Sequence, residues 1–472
     1  MNSTTILILV ATVAVIALTL IPTYIISGRK KTTQADWEVA DRSLPLYVVI
    51  GTQFASAMGG GILGAHVGNA YTRGIGHFIY GVLASLPFII IMVLAKWLRR
   101  NNFTTIPDVL AHFTNGNKLI RIVAGVMTVF VPFGWVTSQI TAFGNIYSNL
   151  TGIDYTLLCV LFAVFALAFV MPSGLKTVAW TDFIFSCFMI VMCIVCVVFV
   201  TVMGGGVSNI VSNTIDPSML SFSSSITDNI GVATCMLWIF AVLPGGMTNQ
   251  IYFQRVCAIK EEKQVNKSLI LSGALSLLSF VWAIYMGLSL RSLNIAEIAK
   301  GPTAWFMGKL PIGVMALFAA LVFATLMSTT SSGVQTSVTN ITRDIISTIN
   351  PNIPDRKMVT ISRVLSAVLM AIALLMCLVW TDTLNWLTNT YAYSAAALAC
   401  PVFLSYGLRN KHFITTPGIV AGMVFGLVGC AVAQIMKTSL NFAFIGILVS
   451  AVAMVIVSAA TKKKGTIVAD AE

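Results

Sequence analysis

A chain of 472 residues that is 57% hydrophobic and only 9% charged does not fold as a water-soluble globule, where about a quarter of residues carry charge. Its formal net charge of +12 would suit a nucleic-acid binder, but the basic residues sit in short loops between apolar runs. That pattern excludes nucleic acid as a partner and leaves a polytopic protein with the lipid bilayer around it. The nine cysteines lie almost all within apolar runs, Cys193-Ile194-Val195-Cys196 included, and the four histidines show no metal-ligand spacing.

Apolar segments of spanning length fall at roughly 5–27, 46–72, 77–98, 119–149, 154–173, 177–203, 229–248, 266–290, 311–346, 358–380, 384–407, 415–437 and 440–460. The first has no basic stretch before it and is followed by Gly28-Arg29-Lys30-Lys31, as behind a retained helix. Of the 28 Lys and Arg residues, all but Arg73, Arg291, Lys300, Lys309 and Lys437 fall on the side reached after that segment. The asymmetry predicts a multi-pass protein of the cell membrane, N-terminus outside and C-terminus cytoplasmic.

Two segments are interrupted. The second carries Gly59-Gly60-Gly61 in mid-span, and the seventh carries Pro244-Gly245-Gly246. Proline removes a backbone donor, each glycine weakens a helix by about 1 kcal/mol, and in lipid such a break persists only inside protein or beside a cavity. The breaks are five segments apart, and five is odd, so they open two blocks of opposite orientation. Matched breaks in inverted halves point to a transporter's midplane site. The expected layout is a peripheral helix and loop (1–45), a first repeat (46–203), a second (229–407), two peripheral helices (415–461) and a cytoplasmic tail (462–472). Unwinding near Met58 would free the carbonyls of Ala55 and Met58 to face a cation.

The ninth segment, Phe323–Asp344, places Thr325, Ser328, Thr329, Ser332 and Thr336 at i, i+3, i+4, i+7 and i+11, one polar stripe on a helix. Hydroxyls and carbonyls are hard donors suited to a small hard cation; close helix packing is the competing reading. The sixth segment carries Asp182, with Ser186 one turn further on the same face. An intramembrane carboxylate marks a functional site, unless it serves only the dipole at the helix start.

Five stretches then fall in a telling order. They are Asp36-Trp37-Glu38 with Arg42-Ser43-Leu44-Pro45, and Thr105-Ile106-Pro107-Asp108-Val109-Leu110. Next come Ser173-Gly174-Leu175-Lys176-Thr177 with Trp180-Thr181-Asp182, and Tyr252-Phe253-Gln254-Arg255-Val256 with Lys260-Glu261-Glu262-Lys263. The last is Leu326-Met327-Ser328-Thr329 with Thr342-Arg343-Asp344. Over residues 36–345 they resemble the sodium:solute symporter family, whose members have the LeuT-type inverted-repeat fold. The resemblance implies an all-α membrane protein of about thirteen helices with two discontinuous ones, and a Na+ site between the first and eighth core helices. The ligands it implies are the carbonyls of Ala55, Met58 and Thr325 and the hydroxyls of Ser328 and Thr329. Some members have a second Na+ site, to which Asp182, Ser328, Ser331 and Ser332 correspond. The proline carriers of the family place an acid just before the Met58 position, where this chain has Ala57.

Candidate solute contacts are the backbone at Ala57, Gly59, Gly60 and Gly61, then Trp135 and Gln139, then Trp238 through Gly246. Asn389, Tyr391 and Tyr393 are placed to close the site. With no acid in the core besides Asp182, a cationic solute is disfavoured, while amino acids, carboxylates, vitamin-like acids and sugars stay open. The expected activity is Na+-coupled inward symport of a small organic solute by alternating access, in a monomer. A proton-coupled carrier with Asp182 titrating, or a channel or solute sensor without turnover, are the alternatives. No P-loop, zinc motif or nucleophile elbow marks an enzyme.

Overall fold

In lipid, every backbone donor and acceptor must be satisfied within the chain, and an apolar chain answers with helices. The computed structural model describes all residues except 1–2, 28–31, 173, 215, 380–382, 439 and 463–472. Arg29, Lys30, Lys31, Ser173, Lys463 and Lys464 therefore lie outside the described residues. Twelve helices are long and apolar enough to cross a membrane. These are α1 (Ser3–Ser27), α2 (Leu46–Arg73), α3 (Ile75–Arg100), α4 (Lys118–Thr151), α6 (Leu175–Met203), α7 (Val232–Ala258), α8 (Val265–Arg291), α9 (Ile312–Ile349), α10 (Asp355–Val379), α11 (Leu387–Lys411), α12 (Thr416–Ile435) and α13 (Phe442–Thr461). The remaining expected segment is α5 (Tyr155–Val170), 16 residues long, or about 24 Å.

α5 nonetheless connects opposite faces. One end of the molecule gathers Glu38, Asp108, Arg121, Arg343 and Asp344 in a shared ion network. On that same end Lys176 meets Asp36, and Arg363 donates to the carbonyls of Met171 and Pro172 just beyond α5. The other end carries the Ser225–Arg73 and Asn294–Asn213 contacts. The loops that the basic residues assigned to one side do meet on one face.

α2, α3, α7 and α8 pack as one bundle, and α4, α5, α9 and α10 as a second. α6 and α1 lie against the seam, both touching α9, and α12 and α13 pair at the edge beside α11. α2 breaks where expected: Gly59 has φ 24° and ψ 168°, followed by a wide π turn over Ile62–His66. α7 does not break at Pro244-Gly245-Gly246. It runs on to Met247, stops at Thr248, and restarts from Gln250 under an Asn249 side-chain cap. Proline forfeits one donor without stopping the turns that follow. Gly245 and Gly246 instead let neighbours approach, because their β-carbons would stand 2.6 Å from Tyr391 and 2.5 Å from Pro87. The stretch Tyr252–Val256, expected as a loop, is consequently a buried helix.

Candidate ion and solute sites

The α9 stripe is buried from Thr325 to Thr336, and its hydroxyls divide into two sets. Those of Thr325, Thr330 and Ser331 donate back to carbonyls of their own helix. Those of Ser328, Thr329, Ser332 and Thr336 reach other elements. Ser328 donates to Asp182 Oδ1 at 2.6 Å, while Ser332 and Thr52 donate to Oδ2 at 3.0 and 2.6 Å. Asp182 has no exposed surface, so a carboxylate there is tolerable only with such donors around it. Beside it lies Arg255, also fully buried, whose guanidinium donates to Ser332 at 2.7 Å and Thr336 at 3.2 Å. Two hydroxyls thus stand between a buried carboxylate and a buried guanidinium. Ser186 donates to its own helix, and Ser331 is not among the Asp182 partners.

Two turns further along α2 the Gly59 break exposes backbone. In a continuous helix the Gly60 N–H would bond the Ser56 carbonyl. Here it donates to Gln139 Oε1 at 2.6 Å, and the Ser56 carbonyl takes the Thr329 hydroxyl at 3.1 Å. The Ile62 N–H turns to the Gly59 carbonyl. Thr329 also bonds the Thr325 carbonyl at 3.2 Å. So α2 and α9 touch through backbone on one side and hydroxyl on the other, with Ala55 and Met58 buried beside the contact.

A small cavity of about 60 Å³ opens against this break. Ala57, Gly59, Gly61, Trp135 and Gln139 line it, as the sequence proposed. So do Gly246 and Tyr391, proposed as well, and His66, Tyr80, Tyr252 and Phe280, which were not. A second hollow lined by Gly60, Gly64, Gln139, Asn145 and Leu387 adjoins it on the side away from the ion network. Towards the network, Arg255, Gln254, Gln335 and Trp37 are buried and hydrogen-bonded to one another's elements.

Two expected contacts sit elsewhere. Trp238 lies behind the wall, edge-on to Tyr80 and His77. Asn389 accepts from Gln434 of α12 and lines an outer hollow with Phe130 and Tyr393. The sequence reading missed Arg255, Thr52, His66, Tyr80, Tyr252 and Phe280. Arg255 was counted as a loop charge, although it follows Asn249, a helix-start residue, by less than two turns. A charge so placed was the available signal.

A model of the sodium:solute symporter family matches residues 37–426. The chain belongs to the sodium:solute symporter family. A sodium/glucose cotransporter of Vibrio parahaemolyticus is 24% identical over 452 residues, covering 88% of this chain and 82% of that one. The high-affinity proline transporter PutP of Bacillus subtilis (strain 168) is 24% identical over 342 residues, 70% of each. Among solved structures, the substrate-bound outward-open state of a Na+-coupled sialic acid symporter superposes with a TM-score of 0.84 at 18% identity. That match covers 98% of this symporter and 99% of the other. The LeuT-type fold implied by the family resemblance is thereby shown, and the protein is a Na+-coupled solute symporter, not an enzyme.

Proposed function

We propose that this symporter carries a small organic solute inward, with the cavity at the α2 break as its solute site and the α2–α9 contact as its Na+ site. The observation that carries the reading is the exchange at Gly59: backbone groups leave their helix partners and meet Gln139 and Thr329 at the cavity wall. Sodium held by the carbonyls of Ala55, Met58 and Thr325 and the hydroxyls of Ser328 and Thr329 would tie α2 to α9. An ion shifts the equilibrium only if it binds one state better than the other. It would favour the form described here, closed towards the charged face. That face is cytoplasmic by the basic-residue rule, which places the N-terminus outside. The chain acts as a monomer in the five-plus-five layout, α2–α6 and α7–α11.

A second ion beside Asp182, with Ser328, Ser331 and Ser332 as candidate ligands, faces competition. Arg255 already shares Ser332 and Thr52 with the carboxylate, so one Na+ per cycle is the simpler stoichiometry. Ser328→Ala and Thr329→Ala each remove a ligand oxygen and little volume. Solute uptake into proteoliposomes, titrated with sodium, should show the half-saturating concentration rise about tenfold in each, the equivalent of about 1.4 kcal/mol. Unchanged half-saturation in both variants would make the stripe mere packing.

A further inference from the structure

His66 and His77 are the histidines of the membrane interior, and the activity as described gives them no task. They are 5% and 1% exposed, and His66 Nδ1 lies 2.8 Å from His77 Nε2. One proton must sit between those nitrogens. Around the pair stand Tyr80 of α3, Trp238 of α7 and Phe280 of α8, with ring centroids 4.6 to 5.7 Å away. Arg73, at the end of α2, stacks over Trp238 at 5.8 Å. Neither imidazole nor Arg73 pairs with a carboxylate among the described residues. Arg73 is thus the charge of this corner, and no carboxylate stands opposite it among the described residues.

His77 Nδ1 is buried without any hydrogen-bond partner. In either neutral arrangement it is a bare acceptor or an idle donor, a cost the fold would not keep without use. His66 faces the cavity, with its outer nitrogen 3.8 Å from where a Gly61 β-carbon would stand. When His66 Nδ1 accepts from His77, that outer Nε2 carries the hydrogen and donates towards the broken stretch.

The other polar atoms of the cavity tilt the same way. Tyr80 and Tyr252 line it, and neither hydroxyl has a hydrogen bond among the described residues. Ser276 accepts from Ser85 and keeps its own proton to donate. Two side-chain acceptors are already used, Gln139 Oε1 by Gly60 and the Tyr391 oxygen by Trp135. No Asp or Glu lines the cavity. Each of these hydroxyls can donate or accept, and no ionised acid repels an anion, so the wall can turn its hydrogens on a group that only accepts.

We propose that the His66–His77 pair, with the hydroxyls of Tyr80 and Tyr252, reads a carboxylate on the transported solute. The inference rests on the cavity being the solute site. Its test uses matched pairs that differ only in that group: lactate and lactamide, nicotinate and nicotinamide, L-proline and L-prolinamide, with glucose as a neutral probe. The thermal unfolding midpoint of the purified symporter is read in sodium and in potassium buffer. At least one carboxylate should raise the midpoint in sodium while its amide does not. His66→Phe should need at least tenfold more of that carboxylate for the same shift. His66→Gln, which keeps an amide donor, should need an intermediate amount, and it stands in if the Phe variant does not fold. The proposal falls if no carboxylate of the series shifts the midpoint, if an amide or glucose shifts it as much, or if the His66 variants respond as wild type does. Stabilisation by glucose in sodium alone would overturn the carboxylate and leave sodium coupling standing. Equal stabilisation by a carboxylate in sodium and potassium would do the reverse.

Discussion

Asp182 and Arg255 are both without exposed surface, and the hydroxyls of Thr52 and Ser332 stand between them. Each charge makes the other tolerable, since a buried ion left without its counterpart costs about 3–5 kcal/mol. Asp182→Asn keeps the shape of the side chain but leaves the guanidinium uncompensated. Arg255→Gln leaves the carboxylate with hydroxyl donors alone. Each single variant should therefore lower the unfolding free energy by several kcal/mol, and the double variant should lose less than the sum. A double-mutant cycle on thermal or detergent unfolding reads this coupling directly. Strict additivity would show that the two charges do not depend on one another. Asp182 was legible because a carboxylate inside an apolar run has no bland place to sit. Arg255 was not, because its segment also reads as a loop: the Pro-Gly-Gly before it looked like the end of a helix, whereas the true stop is the Thr248–Asn249 cap.

At the scale of the element, the two breaks differ in kind. In α2 the backbone itself is bent, with Gly59 at φ 24°, and its β-carbon would sit 3.0 Å from Thr329 Oγ1. In α7 the glycines relieve contacts, and the change of direction comes from a cap two residues later. Sequence showed that both helices are interrupted but not how, because Pro and Gly serve bending and close packing alike. Gly59→Ala puts a side chain into the left-handed region, a strain of about 1–3 kcal/mol, and crowds the hydroxyl expected to hold sodium. Uptake should fall by an order of magnitude or more. Gly68, on the same helix but with nothing within 4 Å of its β-carbon position, is the control. Gly68→Ala should be neutral or stabilise by up to about 1 kcal/mol, as at an unstrained helix site. Equal uptake by the two variants would remove the Gly59 conformation from the mechanism. The same element explains the partial success with the solute pocket. Residues within a turn of the break were found by spacing, whereas Tyr80, Tyr252 and Phe280 come from three other helices whose angles no local pattern encodes.

Across the whole molecule, one face is held shut by charge. Arg343, on the last turns of α9, donates to Glu38 and to Asp108, both at 2.8 Å. Arg121 at the start of α4 meets Asp108 and Asp344. The loop before α2 is thus tied through Arg343 to α9, and Asp108 and Asp344 join α9 to the start of α4 at the same end. Burial pushes the Glu38 carboxyl above its usual range, with Arg343 opposing. Burial also acts upward on Asp108, but Arg343 and Arg121 outweigh it and hold that carboxyl below the usual range. Asp108 is therefore the firmer anchor for Arg343, and Glu38 the one a conformational change can give up. Alternating access requires this face to open, and opening must separate residues 34–42 from α9, because Trp37 and Glu38 also bond Gln335 and Gln254. Charge-assisted hydrogen bonds contribute about 1.5–3 kcal/mol each. Arg343→Gln removes the charge from two of them, so the closed form should lose enough to change the open population by tenfold or more. A single reporter, Thr336→Cys in a background without the nine native cysteines, lies buried just inside the seal. In inside-out vesicles without sodium, a membrane-impermeant maleimide should label it slowly, and about tenfold faster when Arg343→Gln is added. Sodium should slow the labelling in both, since an ion bound between α2 and α9 works in the same direction as the lock. If Arg343→Gln leaves the rate unchanged, the network is decoration on a face closed by packing alone, and the gate must be sought in the buried contacts of Arg255.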